Sequence, residues 1–442
     1  MPSQTTMIIT HRIAILTASL VILLAFPAKA PAQDAESSTT SSITHGPFVG
    51  HVTPTTAKIW ARCKNLGEHC CTLEDTKTGD RKIAKTTVTK ENDRCAVWDF
   101  KGLSPNQTYR YTIEHDGITL VEGNTYQIQT APIEEATSKV TIAFGSCARE
   151  DAGTARTWAR LVQLQPDAMV LLGDTPYIDT TDLVVQRRRY REFAAQVEMA
   201  RLFRSVPMYD TWDDHDFGRN DTDGRLLGKE RSRRAFIEYH ANPSYGNGRE
   251  GIYTSFRRGG LEVFLLDARY FAGVEESPLD KNQRTLLGED QWQWLEKSLK
   301  ASTAPFKILA TGMIWNGAVR PGKQDHWMTY PLEREKLFRF LGQEGITGVV
   351  LVGGDIHRTR VVRHATSDVV GYDLIELITS PMHDGIIEAA NAPHPGLLFD
   401  AGEPHTFLLL TADTQRTPNR LECQFQNAAG DIMHELKIKS ND

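Results

Sequence analysis

Gly348-Val349-Val350-Leu351-Val352-Gly353-Gly354-Asp355-Ile356-His357 is an apolar run that ends in two glycines, a carboxylate and an imidazole. A short, wholly apolar run bounded by glycine reads as a strand covered on both faces. The pattern occurs twice more, where Val140–Phe144 leads into Gly145-Ser146-Cys147 and Ala168–Leu172 leads into Gly173-Asp174-Thr175-Pro176-Tyr177. Leu261–Leu266 and Phe306–Thr311 add two further strand candidates. The intervening periodicity predicts helices over Val185–Phe203, Lys229–His240, Asp290–Leu299 and Leu332–Gly342. Strands alternating with helices make an α/β domain, here expected over residues 138–438.

Polar residues follow each of the three glycine-ended strands, and a further polar segment lies between them: Trp212-Asp213-Asp214-His215-Asp216, with Asn220 and Asp221 shortly after. In open α/β sheets, sites form beyond the carboxyl ends of the strands, so these segments are expected to converge. Glycine before each polar residue lets the backbone turn sharply and lets an ion approach. Taken singly, Asp174 reads as a turn cap, Cys147 as a small buried hydrophobe, Trp212 as packing and His357 as an ordinary polar side chain. Taken together they supply thiolate, phenolate, carboxylates, an amide and imidazoles, a donor set for two or more metal ions.

Upstream of the α/β pattern, residues 44–134 are rich in Thr, Val and aromatic residues, with turn signals at Thr78-Gly79-Asp80, Ser104-Pro105-Asn106 and Asp116-Gly117. Short alternating strands at this spacing predict a β-sandwich of immunoglobulin or fibronectin form. Tyr109 and Tyr111 alternate onto one face, which reads as core. At the N-terminus, His11 and Arg12 precede the apolar run Ile13–Phe26, and Ala30-Pro31-Ala32 supplies a cleavage pattern. The run falls short of the roughly 20 residues a membrane span needs. Residues 1–32 are therefore expected to be a signal peptide, and 33–43 a linker, in a secreted or periplasmic protein without stable membrane insertion. In an oxidising compartment Cys63, Cys70, Cys71 and Cys95 are expected to form two disulfides of undetermined connectivity. A net charge of −6 and the lack of a basic run argue against a nucleic-acid partner.

The motifs Gly-Ser-Cys, Gly-Asp-x-x-Tyr, Trp-Asp-Asp-His-Asp with a following Asn, and Gly-Gly-Asp-x-His, in this order, resemble the calcineurin-like metallophosphoesterase superfamily. Within it they look like the alkaline phosphatase D (PhoD) family. Gly288–Leu295 and Tyr330–Leu337 are similar as well, and the resemblance covers about Gly46 to Leu436. It implies an αββα metallophosphoesterase sandwich preceded by the N-terminal β-sandwich. Departures from the wider superfamily, with Cys147 in the first segment, Asp214-His215 for Asn-His and Asp355-x-His357 for His-x-His, follow the D family.

The family's iron and calcium cluster is what this resemblance implies. Hard oxygens suit calcium, and thiolate with phenolate suits ferric iron. The family is often exported folded by a twin-arginine signal. Arg12 here has no second arginine, so Sec-type export with metal acquired outside is expected, which favours Ca2+ over Fe3+. Cys147, Asp174, Tyr177, Asp214, Asn220, Asp355 and His357 are the expected metal ligands, with Asp174 bridging two ions. His215 is the expected proton donor to the leaving group, or else an orienting hydrogen-bond donor to the phosphate, and Asp174 shares the catalytic assignment by holding the metals. The expected reaction is hydrolysis of small-molecule or lipid phosphate mono- or diesters by a metal-bound hydroxide. Within enzymes the alternative is a phosphodiesterase or phospholipase D-like activity from the same site. Outside them it is a surface binding module with a dead metal site.

Overall fold

The eight strands of the N-terminal region form two facing sheets. They are β1 (Ile43–Val52), β2 (Thr56–Cys63), β3 (Gly67–Asp75), β4 (Arg81–Val88), β5 (Cys95–Lys101), β6 (Thr108–His115), β7 (Ile118–Val121) and β8 (Gln127–Gln129). The orders are β1-β2-β5 in one sheet and β4-β3-β6-β7 in the other, with β8 on β6. This computed structural model describes residues 42–440, so the expected signal peptide and all but the end of the linker lie outside the described residues. The alternating pattern buries Val49, Ile59, Leu73, Trp98, Tyr109, Tyr111 and Ile113 between the sheets, as expected for the tyrosine face.

All six cysteines are free thiols, contrary to the expected disulfides. The pleat explains part of this. Cys95 lies opposite Arg62, one position out of register with Cys63, so the two thiols leave opposite faces of the sheet. Cys63 enters the sandwich core, and Cys95 packs against the α/β region. Cys70 and Cys71, consecutive on β3, likewise point to opposite faces, and Cys71 is buried in the core.

Two more sheets follow. The first has the order β11-β10-β9-β21-β22-β23, built from β9 (Lys139–Gly145), β10 (Ala168–Leu171), β11 (Met208–Asp210), β21 (Thr406–Asp413), β22 (Arg420–Asn427) and β23 (Ile432–Lys439). The second has the order β12-β13-β16-β17-β19-β18-β20. Its strands are β12 (Thr254–Arg258), β13 (Leu261–Leu265), β16 (Phe306–Ala310), β17 (Val349–Gly353), β18 (Thr359–His364), β19 (Leu374–Ile378) and β20 (Leu397–Ala401), while a small hairpin, β14 (Glu276–Ser277) and β15 (Asp280–Arg284), stands apart. The five strands expected in this region are present within a residue at each end. Ile142, Phe144, Val170 and Leu410 of the first sheet pack on Val263, Ile308, Val350 and Leu377 of the second, so the sheets lie face to face.

Helices cover both outer faces. Trp158 and Leu161 of α1 (Ala152–Leu164), Tyr190 and Phe193 of α2 (Leu183–Ala194), Leu202 and Phe203 of α3 (Val197–Phe203) and Phe236 of a helix over Lys229–Tyr239 pack with Met169, Met208 and Leu409. Trp292 and Leu295 of a helix over Gly288–Ala301, with Leu337 and Leu341 of another over Pro331–Gln343, cover Phe264, Leu309 and Leu351. The result is the αββα sandwich. The single helix expected over Val185–Phe203 is broken at Gln196, whose backbone is extended (φ −64°, ψ 121°). Its amide closes the break, donating to the Phe193 carbonyl (3.2 Å) and accepting from Trp158 Nε1 (3.3 Å).

The N-terminal sandwich is tied to the α/β layers by buried polar bonds as well as by rings. Trp60 Nε1 donates to the Glu238 carbonyl (2.8 Å) and Tyr111 Oη to the Arg204 carbonyl (2.8 Å). Phe48 meets Phe203 edge-on at 6.0 Å, and Trp60 lies 5.8 Å from Tyr239. No helix among the described residues is long and apolar enough to cross a membrane.

Candidate metal centre

Strands β9, β10 and β11 run parallel, as do β13, β16, β17 and β19, and the gathering of Cys147 and Asp174 with His357 brings the carboxyl ends of β9, β10 and β17 to one edge of the two-sheet stack. The chain turns there through conformations that side chains with a Cβ rarely adopt: Cys147 has φ 54°, Asp174 54°, Asp355 70° and His357 49°. Left-handed non-glycine residues cost of order 1 kcal/mol or more each and persist where their surroundings over-determine them. The glycines serve close approach of neighbouring segments. A Cβ on Gly173 would lie 2.2 Å from the Asp213 backbone nitrogen, and one on Gly312 would lie 2.5 Å from Asp213 Cγ. What comes close to these bare α-carbons is the next strand-end segment, a finer role than the approach of an ion expected from sequence.

One half of the cluster is built on Cys147, Asp174, Tyr177 and His357. Cys147, Asp174 and His357 place ligand atoms within 4.8 Å of one another. Cys147 Sγ lies 3.6 Å from Asp174 Oδ2 and accepts from Ser380 Oγ at 3.3 Å. Tyr177 Oη lies 2.9 Å from His357 Nε2 and 3.0 Å from His383 Nε2. Gly385 N–H donates to His383 Nδ1 (2.8 Å), which leaves the proton of neutral His383 on Nε2 and directs the Tyr177 hydroxyl proton toward His357. Burial pushes the Cys147 thiol up to about 11 and holds His357 down to about 4. Burial, then the neighbouring Cys147 and Asp174, push the Tyr177 phenol upward. Burial and the charges of Cys147, Asp214, Asp216 and Asp355 push Asp174 upward as well.

The other half is carboxylate-rich. Asp174, Asp214 and His215 form one group within 4.8 Å, Asp213, Asp214 and Asp355 another, and Asp214, Asp221 and Asp325 a third. His215 N–H donates to Asp214 Oδ1 (3.0 Å) and lies 3.3 Å from Asp174 Oδ1, while Asp221 N–H donates to Asp214 Oδ2 (2.5 Å). Burial raises Asp214, but Arg269, His215 and Lys323 outweigh it and hold the carboxyl down to about 2. Asp355 is pushed up to about 6 by burial, with Lys323 opposing and Asp214 adding to the shift. Arg269, fully buried, bonds Asp213 and both oxygens of Asp325 (2.7 and 2.6 Å). Asp213 Oδ2 and Asp355 Oδ2 are buried with no hydrogen-bond partner. Unpaired buried carboxylate oxygens are costly in a protein interior, and a cation is the partner that such oxygens, a thiol and imidazoles fit together.

Seven of the eight residues singled out from sequence therefore gather at one edge. Asn220 is the exception. It is exposed, and at that place the neighbouring Asp221 supplies the bond to Asp214. His215 is oriented by Asp179, whose Oδ1 lies 2.6 Å from Nδ1, and its ring lies 4.6 Å from that of Tyr177. Sequence reasoning placed Asp213 in a site segment without giving it a role, and missed Asp179, His383, Asp325, Arg269 and Lys323. His383 had a signal, since it closes Thr379-Ser380-Pro381-Met382-His383 directly after β19, but buried Glu376 interrupts that strand's apolar run.

A model of the family described as PhoD-like phosphatase matches residues 142–406, more than half of the chain. The chain belongs to the PhoD-like phosphatase family. Residues 40–133 match a domain of unknown function (DUF7800). Alkaline phosphatase D of Bacillus subtilis (strain 168) is 26% identical over 306 residues, 58% of this chain and 52% of that protein, so the chain spans about half the length of the curated relative it matches. A solved structure of PhoD superposes with a TM-score of 0.73 at 18% identity, covering 91% of this chain and 90% of that one. A purple acid phosphatase from yellow lupin (Lupinus luteus) seeds gives 0.67 at 14% identity, covering 89% and 74%. At these identities the superpositions speak for the fold alone, an αββα sandwich with an N-terminal β-rich region.

Proposed function

We propose that this chain is a secreted, metal-dependent phosphoesterase that hydrolyses phosphate mono- or diesters of small molecules or lipids. The observation that carries this reading is the gathering of Cys147, Asp174, Asp214, Asp355 and His357 at the strand ends, with Asp355 Oδ2 buried and unpaired. Membership of the PhoD-like phosphatase family supports it. A binding module with a dead site fits less well, because Cys147, Asp174, Asp355 and His357 all stand on left-handed backbone that folding alone does not favour. We read residues 44–134 as the scaffold domain and 138–438 as the catalytic domain, with export directed by residues 1–32.

Cys147, Tyr177 and His357 would hold the more Lewis-acidic ion, ferric iron by the family's pattern. Asp214 and Asp355 would hold a hard ion such as calcium, with Asn220, expected from sequence to join them, standing exposed beside them, and Asp174 would serve either ion. When bound, the cations supply Lewis acidity toward water and toward the ester oxygens, and they offset the charge of an anionic substrate that a chain of net charge −6 would otherwise repel. His215 donates a proton to the departing alkoxide. Asp179 on Nδ1 fixes the ring and leaves Nε2 for that transfer. Tyr177, bonded to two imidazoles and under the Arg149 guanidinium (4.3 Å from its ring centroid), is held against rotation at the edge of the site.

The test is a panel of alkyl and nitrophenyl mono- and diesters above neutral pH with added calcium. Turnover without any phosphorylated side chain is expected, since the site offers no serine nucleophile elbow. A phosphoserine or phosphothreonine trapped during turnover, or a purified protein inert toward the whole panel, contradicts the reading.

A further inference from the structure

Lys323 sits between the short 3-10 turns Gly317–Val319 and Trp327–Thr329, and its side chain is 6% exposed. Its ammonium lies inside the carboxylate-rich half of the centre, 2.7 Å from Asp221 Oδ1, 3.0 Å from Asp355 Oδ1 and 3.8 Å from Asp325 Oδ2. Asp214, Asp221 and Asp325 bring their oxygens within 4.8 Å of one another, an all-oxygen set of the kind a hard divalent ion takes.

We propose that Lys323 is a fixed internal cation that fills this Asp214–Asp221–Asp325–Asp355 cradle in place of a further divalent ion, confining the metals to the side of the centre formed by Cys147, Asp174, Asp214, His357 and the free Oδ2 of Asp355. The proposal rests on the reading of the cluster as a metal centre. Two observations carry it. The two shorter distances are those of charge-assisted hydrogen bonds, so the ammonium satisfies Asp221 and Asp355 directly and stands where an ion between them would stand. Asp355 divides its oxygens, Oδ1 going to Lys323 and Oδ2 remaining buried and unpaired. In the other half, by contrast, Asp174 takes its neighbours from the His215 N–H and the Cys147 thiol, and the nearby Arg149 lies over the Tyr177 ring. A lysine ammonium carries a single charge and cannot polarise a water as a dication does. Its use here sets the number of ions while keeping the carboxylates together.

The experiment compares calcium and iron content per chain, by elemental analysis after dialysis against calcium, in wild type, Lys323→Met and Lys323→Arg. Lys323→Met is expected to hold about one more divalent ion per chain than wild type, and Lys323→Arg the wild-type number. Luminescence titration with terbium on Lys323→Gln gives a second readout if the methionine variant does not fold, with one added class of sites expected. Equal or lower metal content in Lys323→Met, or no added terbium sites, overturns the proposal, because Lys323 would then swing aside for metal or help to hold it. Failure of the metal reading itself looks different: wild type would carry no metal, whatever Lys323 does.

Discussion

Cys71 and Cys147 are both fully buried, and the contrast between their surroundings separates the two parts of the molecule. Cys71 lies among Leu73, Tyr111 and Ile113 in the sandwich core, where it is a small hydrophobe on a regular strand. Cys147 stands on a left-handed turn between Ser146, Ser380 and Asp174, in a pocket of polar groups. Burial raises both thiols, but Cys71 has no use for a charge, whereas Cys147 lies beside groups that a cation would reorganise. In the sandwich, left-handed residues such as Asp93, Asn106 and Asp116 stand in turns between strands. The strand-end cluster joins left-handed backbone to buried, unpaired carboxylates, and that combination marks the site.

The largest expected effect removes the shared carboxylate. Asp174→Ala should lose bound metal and bring activity toward every ester to background, because the remaining ligands no longer share a counter-charge. Retained metal with retained activity would break the contrast. His215→Ala should keep its metal and lose about 10²- to 10⁴-fold toward an alkyl phosphate, with a smaller loss toward a nitrophenyl ester whose leaving group needs no proton. Metal loss, or equal slowing of both esters, would make His215 a ligand or a phosphate anchor.

A smaller effect sits where the two parts meet. His51, largely buried beside Tyr209 Oη (3.3 Å), is held down to about 4 by burial and by Lys58. Unfolding returns it to its ordinary value near 6.5, so the unfolded chain binds the extra proton. Stability is then lost as pH falls from about 6.5 toward 4, by up to about 3 kcal/mol. Melting temperatures across that window should fall less steeply in His51→Gln, and an unchanged slope would refute the assignment. Smallest is Cys71→Ala, expected to cost about 1 kcal/mol and to leave metal content and activity intact. Cys147, by comparison, should alkylate only after chelation, and a disulfide between Cys147 and Cys423 would contradict its place in the centre.

How much of this was legible follows the same division. Strands that are apolar throughout and end in glycine announced the sheets and, through the residues after them, Cys147, Asp174, Tyr177, Asp355 and His357. His383 escaped because β19 carries Glu376, made tolerable by His364 Nε2 (2.8 Å) and the Trp315 N–H (2.8 Å), partners that no local pattern reveals. Lys323 and Asp325 lie in irregular chain, where surroundings come from tertiary structure alone. Asn220 carried the chemistry of a ligand but stands exposed beside it. The break at Gln196 was hidden by helix-forming residues on both sides, and the cysteine spacing could not tell which face of the pleat each thiol leaves.

The central claim is that the strained, carboxylate-rich edge exists to hold metal for ester hydrolysis. The most direct measurement is elemental analysis of the purified protein, before and after exhaustive chelation, with hydrolysis of a nitrophenyl phosphate followed in parallel. The account predicts about two ions per chain, loss of activity with their removal and recovery when calcium and iron are restored. Undiminished hydrolysis by protein shown to be free of metal would contradict it.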